Sequence, residues 1–114
     1  MTDQWVTFSK IGPAEAVHLK GEIDLANAHA IGRAIVARTT AADAVLIDLT
    51  AVSFLDSAGV RLLDLIVGEL DERGKPIRLV VGERGAARMT LQLCAFRTDL
   101  FAVDLDHAAA ELAG

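Results

Sequence analysis

Ala44-Val45-Leu46-Ile47-Asp48-Leu49, running into Thr50-Ala51-Val52-Ser53-Phe54-Leu55-Asp56-Ser57-Ala58-Gly59, decides the fold. The first part is a nearly unbroken apolar run, the mark of a central strand covered on both faces. The second part reads as the loop that leads from this strand into a helix. From about Ser57 to Arg73 the residues Leu62, Leu63, Ile66, Val67 and Leu70 recur at helical spacing. Gly74 stands at the expected position just past that helix, and Pro76 prevents its continuation. Phe54 and Leu55, apolar within a connecting segment, are expected to pack down and hold the turn.

Outward from this stretch, toward the N-terminus, Gln4–Phe8 and Ala16–Lys20 each alternate polar with apolar residues around a Gly12-Pro13 turn. That pattern predicts an antiparallel hairpin with a loop of several residues. Residues from about Asn27 to Arg38 place Ala28, Ile31 and Ile35 at helical spacing, after the capping candidates Asp24 and Asn27. Toward the C-terminus, Ile77–Val81 reads as a strand and Arg84 to about Cys94 as a helix presenting Met89 and Leu93. Phe101-Ala102-Val103 reads as a last strand, and Asp106 as the cap of a helix ending near Leu112. Strands alternating with helices after one hairpin predict an α/β fold. Its mixed, mostly parallel β-sheet would carry an N-terminal antiparallel hairpin and about four helices, in one domain over residues 1–114.

Composition narrows the function classes. The chain has 114 residues, a formal net charge of −5, 53% hydrophobic residues and one cysteine. No window approaches the roughly eighteen consecutive apolar residues of a membrane span. Met1–Trp5 lacks the basic patch and apolar run of a signal peptide. A single thiol makes no internal disulfide, so a reducing, cytoplasmic setting is expected. An acidic domain binds phosphate backbones poorly, which argues against nucleic acid as a partner. Neither membrane nor nucleic acid is therefore expected.

In open α/β sheets, function gathers in loops beyond the C-terminal ends of parallel strands. Three such segments stand out: Gly21–Asn27, Thr50–Gly59 and Gly82–Gly85. Ser57 has two readings. It can be an N-cap accepting a backbone N–H, or it can carry a phosphate that free N–H groups and the helix dipole stabilise. Gly59 removes a side chain nearby, which would let a partner's backbone or a nucleotide approach. Asp24 is either a cap of the first helix or a carboxylate brought near Asp56, where it could orient the serine hydroxyl. Asp48 reads as an acid closing the end of a buried strand. These carboxylates lack the dense spacing of a metal site, so neither a metal nor a cofactor is expected.

The remaining singletons carry little. His18 reads as a solvent-facing strand residue, His29 as an exposed helix residue, and His107 as part of the last helix's first turn. None has a Ser, Cys or Asp at triad spacing, so only distant segments could assemble one. Cys94, among apolar neighbours, reads as an inert buried thiol. Gly82-Glu83-Arg84-Gly85 lacks the Walker lysine and the dinucleotide glycine pattern, and reads as a plain turn. No catalytic constellation is apparent, and the chain does not read as an enzyme.

Gly21-Glu22-Ile23-Asp24, Val45–Leu49 and Val52-Ser53-Phe54-Leu55-Asp56-Ser57-Ala58-Gly59-Val60 together resemble the STAS domain. The likeness is greatest to stand-alone anti-sigma factor antagonists and runs from the opening hairpin to Phe101-Ala102-Val103. It implies a regulatory cycle. The unphosphorylated domain binds an anti-sigma factor and frees the sigma factor. That anti-sigma factor is typically a GHKL-type serine kinase, which phosphorylates and releases the antagonist. A metal-dependent serine phosphatase restores the binding form. On this resemblance Ser57 matches the phospho-acceptor, Asp56 the preceding acid, Gly59 the helix-start glycine and Asp24 the acid of the neighbouring loop. Many members have a second hydroxyl residue where this chain has Ala58, which leaves Ser57 as the one acceptor in the motif. The partner-facing surface is expected to comprise Asp24, Leu25, Asn27, Asp56, Ser57, Ala58, Gly59, Val60 and Arg61.

Two rivals stand beside this reading. A phospho-aspartate receiver domain has similar length and could use Asp48 as acceptor, but the paired acids and late lysine it needs are missing. A STAS-fold structural subunit of a transporter or stressosome complex would share the fold without a phospho-switch.

Overall fold

The computed structural model describes residues 2–113. Strands β1 (Val6–Ile11) and β2 (Ala14–Ile23) pair antiparallel, with Ile11 opposite Ala14. The hairpin loop is therefore the Gly12-Pro13 pair alone, shorter than the sequence pattern predicts. Gly12 sits at φ +58°, a conformation glycine reaches without steric cost, and this closes the turn in two residues. Helix α1 (Ala28–Thr39), strand β3 (Ala44–Leu55) and helix α2 (Ser57–Glu72) follow. Strand β4 (Ile77–Val80), helix α3 (Ala86–Leu93), a 3₁₀ turn (Thr98–Leu100), strand β5 (Phe101–Ala102) and helix α4 (Leu105–Ala113) complete the order.

The five strands lie side by side in chain order. β2 through β5 are parallel, and β1 is the antiparallel edge. The expected mixed, mostly parallel sheet with an opening hairpin and four helices is the observed one. β3 runs on through Leu55, so Thr50–Leu55 is strand and not the loop that its polar residues predict. Pairing with β2 carries it there, because Val52 lies opposite Gly21 and Leu55 opposite Ile23. Leu55 is buried as expected, whereas Phe54, on the opposite face of the strand, is 49% exposed.

Alternation along the strands divides the core between two faces. Val17, Leu19, Val45, Ile47, Leu49, Ile77 and Leu79 face Ile31 and Ile35 of α1, Leu63 and Ile66 of α2, and Ala87 and Leu91 of α3. Ala14, Ala16, Ala44, Leu46, Val80 and Ala102 form the other inner face, against Ala108 of α4. Small residues on that side let α4 lie close to the sheet.

Helix termini follow capping chemistry, with several shifts from the sequence reading. α2 ends in a Schellman arrangement: Gly74 N–H donates to Asp71 O and Lys75 N–H to Leu70 O, with Gly74 at φ +68°. α4 is capped by Asp104, whose Oδ1 accepts from His107 N at 2.8 Å, and not by Asp106, which lies inside the helix. α3 buries Ala87 and Leu91 and leaves Met89 and Leu93 64% and 82% exposed. Cys94 is exposed as well, which overturns the expectation of a buried thiol. It follows the last residue of α3, past the helix's buried stripe.

Candidate functional site

Two connections meet at the C-terminal end of the parallel strands, and Asp56 joins them. It is the N-cap of α2, with extended backbone, and its Oδ1 accepts from Gly59 N–H at 3.0 Å. Its Oδ2 accepts from Leu25 N–H at 3.2 Å across the gap to the β2–α1 loop. Its own N–H donates to Ile23 O at 3.2 Å. One carboxylate thus satisfies an orphan donor of the helix and ties the neighbouring loop to it. The cap is Asp56 and not Ser57, which becomes the first helical residue.

Ser57 is exposed at that first position. The first intrahelical bond runs from Val60 N–H to Asp56 O, so Ser57 and Ala58 N–H groups have no carbonyl one turn back. The hydroxyl therefore stands at the positive end of a 16-residue helix, beside a carboxylate already engaged in two hydrogen bonds.

Gly59 is buried for an internal reason. A Cβ there would lie 2.5 Å from Leu55 Cδ1 and 3.1 Å from Ile23 O. The space that glycine frees is filled by the sheet, so it is not an approach for a partner's backbone or a nucleotide. The α2 terminus can sit down on β2 and β3 only without that side chain.

The β2–α1 loop is built the same way. Asp24 Oδ1 accepts from Ala26 N–H at 2.9 Å, closing an Asx turn. Asn27 is buried, accepts from Asp24 N–H through Oδ1 at 2.9 Å and donates from Nδ2 to Glu22 O at 2.8 Å. Asp24 therefore orders the loop through its own backbone. Asn27 occupies the N-cap position of α1 without a side-chain cap bond. With these residues fixed, Leu25 is pushed outward and is 81% exposed.

The structure thus gathers all nine partner-facing candidates at one corner and sorts them by access. Leu25, Ser57 and Arg61 are exposed, Asp24, Asp56, Ala58 and Val60 are half-buried, and Asn27 and Gly59 lie beneath the surface. A groove between α1 and α2 leads away from this corner, bordered by His29, Arg33 and Val36 on one side and Arg61 and Leu65 on the other. Leu65 is 66% exposed. Sequence reasoning passed over it, although the signal exists: Leu62, Leu63, Ile66, Val67 and Leu70 form the buried stripe of α2, and Leu65 lies off it.

Asp48 does not belong to this corner. It lies within β3, opposite His18 of β2, and contacts His18 Nδ1 through Oδ2 at 3.0 Å. Its Oδ1 accepts from Thr50 Oγ1 at 2.6 Å and Thr50 N at 3.0 Å. Burial opposes its ionisation, but the hydrogen bonds from Thr50 and His18 outweigh burial and hold the carboxyl below its ordinary range. His18 is thus a half-buried, hydrogen-bonded group and not a freely solvated one. Among the described residues no cluster of three His, Cys, Asp or Glu side chains could hold a metal ion, and no helix is long and apolar enough to cross a membrane.

Comparison with known proteins gives a consistent picture. A family model for the STAS domain matches residues 8–110. No curated protein matches the chain significantly. Among solved structures, an anti-sigma factor antagonist from Mycobacterium paratuberculosis is 26% identical, with a TM-score of 0.86 over 96% of this chain and 93% of its own. The anti-sigma factor antagonist SpoIIAA of Bacillus, in its unphosphorylated form, is similar in fold at 18% identity, with a TM-score of 0.76 and 93% of each chain covered. A variant of RsbS from Moorella thermoacetica is similar in fold at 19% identity and a TM-score of 0.78, over 95% of this chain and 94% of its own.

Proposed function

The chain belongs to the STAS domain family, and from that premise we propose that it is an anti-sigma factor antagonist switched by phosphorylation of Ser57. The unmodified form binds an anti-sigma factor that is also a GHKL-type serine kinase, and so frees a sigma factor. Phosphorylation of Ser57 by that kinase ends the complex, and a metal-dependent serine phosphatase restores it. The chain itself supplies binding and the acceptor hydroxyl, while catalysis belongs to the kinase and phosphatase.

One observation carries this reading: Ser57 is presented in the open on the first turn of α2, at the head of a groove edged by exposed Leu25 and Leu65. Exposed apolar side chains beside a modifiable hydroxyl are what a phosphate-gated docking surface requires. The added charge would have to be desolvated against a partner seated on those residues. Asp24, Asn27, Asp56 and Gly59 hold the corner in shape, and Leu25, Ser57, Ala58, Val60 and Arg61 make the contact.

Incubation with GHKL kinases encoded beside the gene, in ATP, followed by peptide mass spectrometry, tests the assignment. Phosphate on Ser57, absent in Ser57→Ala, is expected. Unmodified Ser57 with every such kinase would instead favour a STAS-fold structural subunit.

A further inference from the structure

The first three strands assemble a serine–histidine–aspartate relay from segments far apart in sequence. His18 lies directly opposite Asp48 across the β2–β3 ladder and opposite Thr7 across the hairpin. Ser9, two residues on from Thr7, is its diagonal neighbour on the same face. Ser9 Oγ is 2.8 Å from His18 Nε2, and His18 Nδ1 is 3.0 Å from Asp48 Oδ2. Thr50 hydrogen-bonds the other carboxylate oxygen and fixes its plane.

We propose that Ser9 is a base-activated nucleophile, a covalent modification site that takes an acyl group from an activated acyl donor such as an aryl ester or thioester. An ionised carboxylate only accepts hydrogen bonds, so the proton in the His18–Asp48 contact sits on Nδ1. In the neutral ring this leaves the Nε2 lone pair facing the Ser9 hydroxyl, which is the tautomer a general base needs. The depressed carboxyl of Asp48 agrees with its being ionised throughout the neutral range. In the reaction Ser9 Oγ bonds to the acyl carbon as the carbon–leaving-group bond breaks. The Oγ proton passes to His18 Nε2 and from there to the departing thiolate or phenolate.

Position favours access. His18 and Asp48 continue the sheet face of Ala16 and Leu46 by two residues, and Ser9 lies opposite Ala16 on β1, the sheet edge. Ser9 is exposed while the side chains of His18 and Asp48 are 29% and 15% accessible. The base is therefore held and the nucleophile is open. Ser9 stands exposed on the edge strand, which suits acceptance from an already activated donor. α2, with Ser57 at its start, packs on the opposite face, so this site is independent of the proposed switch.

The test needs no partner. The chain's serines are Ser9, Ser53 and Ser57, all exposed, so each molecule carries its own controls. The whole chain is treated with p-nitrophenyl acetate and the serine esters are quantified by peptide mass spectrometry. Ser9 is expected to acylate about a hundredfold faster than Ser53 or Ser57, the low end of general-base assistance. His18→Gln, which keeps a polar side chain but cannot take the proton, should bring Ser9 down to their level. Equal labelling of the three serines in the unsubstituted chain would overturn the proposal, as would Ser9 labelling that His18→Gln leaves unchanged.

Discussion

At the residue scale, the corner depends on one carboxylate and one missing methyl group. Asp56 spends both oxygens on backbone donors, and Gly59 lets the helix start rest on Leu55 and Ile23. Gly59→Ala gains about 1 kcal/mol of helix propensity but overpacks a buried contact, at about 1–3 kcal/mol. A net loss of stability in urea unfolding is expected. Gly32→Ala is the control, because its Cβ would meet only the tip of Leu62, at 2.7 Å. It should come out nearer neutral. Asp48 gives a pH prediction. Its carboxyl is held below the ordinary value of 3.8, so its contribution to stability is full above that value and disappears as pH falls through the depressed one. Asp48→Asn should therefore flatten the acid limb of the stability profile below about pH 4, as read by chemical unfolding at a series of pH values. The Asp-Ser-x-Gly motif was visible in sequence, but the division of labour within it was not. Asp and Ser are both favoured caps, and only the position where the helix starts assigns the role.

At the element scale, α3 shows why an apolar residue at helical spacing need not be a core residue. Met89 and Leu93 lie four apart, yet the buried stripe is Ala87 and Leu91, also four apart and shifted by two. Leu91→Ala should cost about 2–5 kcal/mol, whereas Leu93→Ala, at 82% exposure, should be near neutral. Thermal unfolding of the two variants distinguishes the faces. The longer elements were legible because their periodicity spans several turns, as for α2, or because an unbroken apolar run marks a doubly covered strand, as for β3. Their ends were not. Thr50–Leu55 is too polar on one side to read as strand, and its extension is imposed by pairing with the end of β2, along which β3 carries the extra residues of two register shifts. The Ser9–His18–Asp48 relay was hidden for a related reason: it needs the register of three strands, which no single segment encodes.

At the scale of the whole molecule, the two faces of the sheet are used differently. One carries three helices and the corner with Ser57; the other carries α4 and the half-buried His18–Asp48 pair. With a formal net charge of −5, phosphorylation shifts the total to about −7, since a phosphoserine adds about 1.5–2 negative charges. Repulsion from Asp56 at a separation of ~6 Å is roughly 1–3 kcal/mol, and stabilisation at the helix N-terminus is about 0.3–2 kcal/mol. The terms nearly cancel, so the melting temperature of the phosphorylated chain should stay within a few degrees of the unmodified one. On the proposed switch the penalty would fall on association, where about 3 kcal/mol is more than a hundredfold in affinity. The most direct test is the affinity of the cognate anti-sigma kinase for the unmodified chain and for the chain phosphorylated at Ser57, both shown to be folded by circular dichroism. Binding at least about a hundredfold weaker for the phosphorylated chain is expected; equal affinity for the two forms would contradict the switch.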